Sequence, residues 1–76
     1  MANEWKPNLI EDWEIGNYGG AYVIYGNIFN DEKHRFSDGT PIHTSRLKSV
    51  YFVEGMAITE NSIYNLGRRA NDEQAG

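Results

Sequence analysis

From Ala21 onward the apolar residues of this chain alternate with the period of an extended strand, whose side chains point by turns to two faces. The segment AYVIYGNIF, Ala21 to Phe29, is β-branched and aromatic, and it sets Tyr22, Ile24 and Ile28 on one side against Val23, Tyr25 and Phe29 on the other. Apolar on both faces, it reads as a central strand, and Gly26 in its middle predicts a bulge or a tight bend. The runs TPIHTS, LKSVYFV, MAIT and IYNL continue the strand pattern. Pro41 has no N–H to give a ladder, which places TPIHTS at a sheet edge or at the start of a strand. Asp38-Gly39 and Glu54-Gly55 supply turns, ENS a further turn or bulge, and Gly67 ends the last strand.

The N-terminal part differs. In PNLIEDWEIG, Asn8 is placed to cap a helical turn containing Leu9, Ile10 and Trp13 and ended by Gly16, a piece too short to persist unless docked. The tail RRANDEQAG has no apolar residue larger than alanine and is expected to be mobile. The expected fold class is mainly β: a small antiparallel SH3-like barrel, or a strongly twisted sheet, of five to six strands with a short N-terminal helical turn. Residues 1–67 form a single β-rich domain in this reading, and 68–76 a mobile polar tail.

With 76 residues there is room for one core, and without cysteine it must be held by packing alone. The ten aromatic side chains supply the area for that. The N-terminus lacks the basic and apolar regions of a signal peptide, and no run approaches the roughly 20 apolar residues that span a bilayer. A cytoplasmic protein with no membrane partner is expected. The formal charge of −4 argues against binding by neutralisation of duplex phosphates. It is unevenly spread: Glu4, Glu11, Asp12 and Glu14 oppose Lys6 near the N-terminus, whereas 31–48 is basic by one charge.

Catalytic chemistry has little to build on. His34 and His43 lie nine positions apart without the spacing of a zinc site, and no metal is assigned. Ser37, Thr44 or Ser45 with His43 and Asp38 make a nominal triad, yet strand alternation sends His43 away from Thr44. No glycine-rich phosphate cradle opens a helix, and so small a chain encloses little volume. Neither a catalytic residue, a cofactor nor a small-molecule substrate is expected.

Binding chemistry is better supplied. The loop NDEKHRFSDG presents Phe36 among charges, with Arg35 beside it and Arg46 further along, the pairing of apolar anchor and arginine found at interface hot spots. The candidate partner-binding residues are Asp31, Glu32, His34, Arg35, Phe36 and Arg46, with Glu11 and Asp12 as an acidic flank. Phe36 discriminates: facing inward it is a core plug, facing outward it marks the interface. The competing reading is a single-stranded nucleic-acid binder that stacks bases on Tyr22, Tyr25 and Phe36 beside Arg35, Arg46 and Lys48. A third, purely structural reading lets Asp38, Thr40, Thr44, Ser45, Asn61 and Ser62 serve backbone groups where strands bend.

The elements GNIFND, RFSDGTPIHTS and ITENSIYNLG, which span Gly26 to Gly67, resemble a pattern in small uncharacterised proteins of phages, prophages and plasmids. The resemblance carries no catalytic residue. It implies a protein that occupies a surface of a host protein, a nucleic-acid-binding complex among the candidates, as inhibitors of bacterial immunity such as anti-CRISPR proteins do. An acidic molecule can block a basic groove by complementary charge.

Overall fold

A computed structural model describes residues 6–70 and shows six strands: β1 (Leu9–Tyr18), β2 (Ala21–Phe29), β3 (Thr40–His43), β4 (Leu47–Tyr51), β5 (Met56–Thr59) and β6 (Ile63–Leu66). They form one sheet in the order β3-β2-β1-β6-β5-β4. All neighbours are antiparallel except β1 and β6, which run parallel, so the sheet is mixed rather than antiparallel. β3 and β4 lie at opposite edges yet are joined by only Thr44, Ser45 and Arg46. So short a link forces the sheet to roll until its edges approach. Among the described residues no ladder joins the two edges, and the sheet stays open.

The expected N-terminal helical turn is instead the beginning of β1. The cause is a bulge: Asp12 and Trp13 together oppose Gly26, between the pairs Glu11–Asn27 and Glu14–Tyr25. One extra residue puts Ile10 and Trp13, three apart, into the same core, and a spacing of three imitates a helix. Asp12 holds the left-handed backbone (φ 53°) that such bulges usually give to glycine. The bulge expected at Gly26 lies across the ladder from it, in β1. A Cβ at Gly26 would run into the Ile10 side chain, the Glu11 carbonyl and Trp13 Cα.

Ile10, Trp13, Ile24, Ile28, Ala57 and Tyr64 make the core, flanked by Ile15, Ile42, Leu47 and Leu66. β2 is internal, as its apolar faces predict, although Tyr22 at its open end is 66% exposed. On the opposite face Val23 is buried, and the Tyr25 ring lies where a Gly16 side chain would be. Pro41 is in the edge strand β3. LKSVYFV is strand only to Tyr51; the turn that follows exposes Phe52 and Val53, the latter 96% open to solvent. Of the expected tail, Arg68 to Ala70 hold to β1. Trp13 N–H donates to the Arg68 carbonyl at 3.2 Å, and Ala70 N–H donates to the Trp13 carbonyl at 2.8 Å. The remainder of that tail, 71–76, lies outside the described residues.

Candidate binding loop

The connection from β2 to β3 is built around one carboxylate. Asn30 takes a left-handed backbone (φ 56°), a conformation asparagine tolerates, and turns Asp31 inward. Asp31 Oδ2 accepts the N–H of Arg35 at 2.8 Å and of Phe36 at 3.2 Å, while Oδ1 accepts the N–H of Lys33 at 3.3 Å. Its own carbonyl accepts the N–H of His34 at 2.9 Å. The Arg35 guanidinium closes over the same group, with Nε 3.2 Å from Oδ2 and Nη2 3.0 Å from Oδ1.

Asp31 is only 5% exposed, a burial that by itself would favour the neutral acid. The hydrogen bonds from Arg35 outweigh that, joined by those of the backbone, and hold the carboxyl at about 2, below its ordinary 3.8. The Arg35 pKa is raised in turn, by Asp31 first and also by the Tyr64 hydroxyl. Among the described residues no buried side-chain polar atom lacks a partner.

Further bonds fix the loop to the sheet. Asn30 N–H donates to Asp38 Oδ1 at 2.9 Å, and Gly39 N–H to the Ile28 carbonyl at 2.7 Å. The Asn8 side chain accepts the Glu32 N–H at 3.0 Å and donates to the Ile63 carbonyl at 3.2 Å. Lys33 Nζ donates to Ser62 Oγ at 3.2 Å. On this base sits an open pocket of about 520 Å³, with Glu32, His34, Phe36 and Asp38 in its walls and Asp31 beneath. Phe36 is 40% exposed, with the Arg35 guanidinium carbon 5.4 Å from its ring centroid, within cation–π range.

Five of the eight predicted binding residues, Asp31, Glu32, His34, Arg35 and Phe36, thus belong to one loop. The other three lie apart from the pocket. Glu11 accepts the Arg68 N–H at 2.8 Å, and Asp12 Oδ1 faces Arg68 Nη2 at 2.8 Å, so the acidic flank fastens the end of the sheet. Arg46 approaches Glu60 at 4.0 Å.

Two of the three hydroxyls weighed as nucleophiles serve the backbone: Thr44 Oγ1 accepts the Ile24 N–H at 3.0 Å and donates to the Ser45 carbonyl at 2.8 Å, and Ser45 Oγ accepts the Asn61 N–H. The third, Ser37 Oγ, lies 3.3 Å from Thr40 Oγ1. His43 lies against Tyr18 and Tyr25 in tilted ring contacts, with centroids 4.2 and 5.8 Å away. Among the described residues no three His, Cys, Asp or Glu side chains gather as a metal site.

No family model, curated protein or solved structure matches the chain. The loop must therefore be read from its own chemistry. The buried Asp31 carboxylate is engaged by Arg35 and by the loop backbone, and Phe36 beside it is partly exposed.

Two further features escaped the sequence pattern. One is the apolar turn of Phe52 and Val53, hidden because LKSVYFV reads as one uninterrupted strand. The other is the outward row Tyr18, His43 and Tyr25, which depends on the register of three strands.

Proposed function

We propose that this chain is a small non-catalytic binding module that occupies a surface of another protein through the Asn30–Gly39 loop. The observation that carries the reading is Phe36, an apolar ring left 40% exposed by a loop whose backbone is tied to a buried anion. An exposed ring contributes little to folding, whereas one held in place in advance loses little freedom on binding. In this reading the rolled sheet is an SH3-like barrel in outline, and the setting is a phage or mobile element. The partner is a host protein in the cytoplasm, and the effect is inhibition of the kind anti-CRISPR proteins exert. The net charge of −4 fits a partner with a basic surface.

A photo-crosslinking phenylalanine analogue at position 36 tests this in host cells. The expected result is one discrete protein adduct, displaced by excess unmodified chain and absent when the analogue stands at Ile63, which is also exposed. Adducts no different from those at position 63 overturn the reading.

A second reading rests on the row Tyr18, His43 and Tyr25, whose adjoining exposed rings are the kind of platform on which single-stranded nucleic acid binds. Titration of labelled oligonucleotides separates the two. Binding that weakens steeply with salt supports the nucleic-acid reading, and its absence refutes it.

A further inference from the structure

The open sheet leaves β4 with a free edge that lies near β2 across the roll. Among the described residues β4 is paired on one side only, with β5. Across the roll, the ladder between β3 and β2 ends at His43–Tyr25; Thr44 adds bonds to Ile24, and β3 does not reach Ala21, Tyr22 or Val23. These two incomplete edges are brought together by Thr44, Ser45 and Arg46. Between them lies a groove of about 380 Å³, lined by Ile15, Tyr22, Leu47, Lys48, Ser49 and Val50. That volume falls in the range of roughly 300–1,000 Å³ typical of ligand sites.

We propose that this groove receives an extended peptide segment of a partner protein, which adds as a strand to β4. Alternate apolar side chains of the segment pack on Ile15, Tyr22, Leu47 and Val50, and a carboxylate stands beside Lys48. Three observations select this occupant. An edge strand offers a row of backbone donors and acceptors that another extended backbone matches residue for residue. The walls are apolar on the inner side, which calls for side chains at every second position of the guest. Lys48 has no carboxylate within ion-pair distance among the described residues, and its place in the β4 bulge between Leu47 and Ser49 leaves its charge at the rim. A lysine on an edge strand also discourages pairing with a second copy of the same edge. The groove shares no lining residue with the Phe36 pocket, so the inference stands apart from the function proposed above.

The test is selection of a random octapeptide display library on the intact chain. The expected consensus alternates apolar residues with polar ones and carries an acidic residue at one position. A synthetic peptide of the selected sequence should shift the amide resonances of 21–23 and 47–51 and leave those of 31–38 unchanged. Methylating its alternate backbone nitrogens should abolish binding, and Lys48→Glu should weaken it about two- to fivefold, the scale of an exposed charge pair. Failure of any peptide to enrich overturns the proposal. So do equal affinity of the N-methylated peptide, shifts confined to 31–38, and a concentration-dependent dimer through β4 in the absence of peptide.

Discussion

Asp31 and Arg35 meet at two points, Oδ1 to Nη2 at 3.0 Å and Oδ2 to Nε at 3.2 Å, while the Arg35 backbone N–H reaches the same carboxylate at 2.8 Å. One side chain therefore fixes both the backbone and the guanidinium of a residue four positions on. Phe36 follows directly, with its own N–H on Oδ2, so the direction of its ring is set by a charge beneath the loop.

Removing that charge should collapse the loop. Asp31→Ala leaves the N–H groups of Lys33, Arg35 and Phe36 without their acceptor, and it releases an arginine whose side chain is 37% exposed and can turn to water. The expected loss is roughly 2–3 kcal/mol, below the cost of orphaning a fully buried charge. Chemical denaturation measures it. Amide hydrogen exchange should accelerate at Lys33, Arg35 and Phe36 before any change in the core. By contrast, Phe36→Ala should cost about 1–2 kcal/mol, less than the loss of a fully buried ring, because Phe36 is already 40% exposed. Asp31 is then a support of the loop, and Phe36 its point of contact. For the same reason Arg35→Glu is a poor probe of partner contact, since it places a second carboxylate against Asp31.

The same pair predicts an acid sensitivity. The folded carboxyl titrates at about 2 and the free one at 3.8, so between these values the unfolded chain binds more protons than the folded one. The stabilisation from this pair is complete above the upper value and is lost as pH falls through the lower. Its size is on the order of 2 kcal/mol. Denaturation midpoints from pH 5 down to about 2 should fall more steeply for the native chain than for Asp31→Asn, whose side chain does not titrate. Parallel curves would assign the acid sensitivity to other carboxylates.

A third expectation concerns the bulge. Gly26→Ala would drive a methyl group into Ile10 and against the backbone of Glu11 and Trp13, two of which are main-chain neighbours that cannot turn aside. Overpacking of this kind costs about 1–3 kcal/mol, and the upper end is expected here. The near-ultraviolet circular dichroism of Trp13 reports whether the bulge has shifted. Gly16→Ala meets only the edge of the Tyr25 ring and should be milder, at the expense of that ring's position over β1.

The bulge also explains what the sequence pattern could and could not reveal. β2, β3, β5 and β6 carry no inserted residue of their own, and their strand character was legible from side chains alone. In β1 the inserted Asp12 turned Ile10 and Trp13 into a three-residue repeat, which periodicity assigns to a helix. The parallel pairing of β1 with β6 joins Leu9 to Asn65 across most of the chain, and nothing local encodes it. The loop residues were recognisable by type, since an aromatic among charges stands out. Glu11 and Asp12 stood out as an acidic flank, but their attachment to Arg68 was not legible, because Arg68 lies in a segment whose composition reads as a mobile tail.

That segment supplies the last expectation. The Trp13 carbonyl accepts the Ala70 N–H at 2.8 Å, and the Arg69 guanidinium carbon lies 5.1 Å from the Trp13 ring centroid. Arg69 also reaches Glu14 at 3.0 Å, where its hydrogen bond lowers the carboxyl pKa. Ala70→Pro removes the single N–H donor and leaves every side chain around Trp13 in place, so it isolates the backbone bridge from the ion pairs. A loss of about 1 kcal/mol is expected, the net worth of one hydrogen bond, accompanied by faster exchange of the Trp13 amide, whose acceptor is the Arg68 carbonyl. If 68–70 were only loosely apposed to β1, the substitution would leave both the denaturation midpoint and the Trp13 exchange rate unchanged.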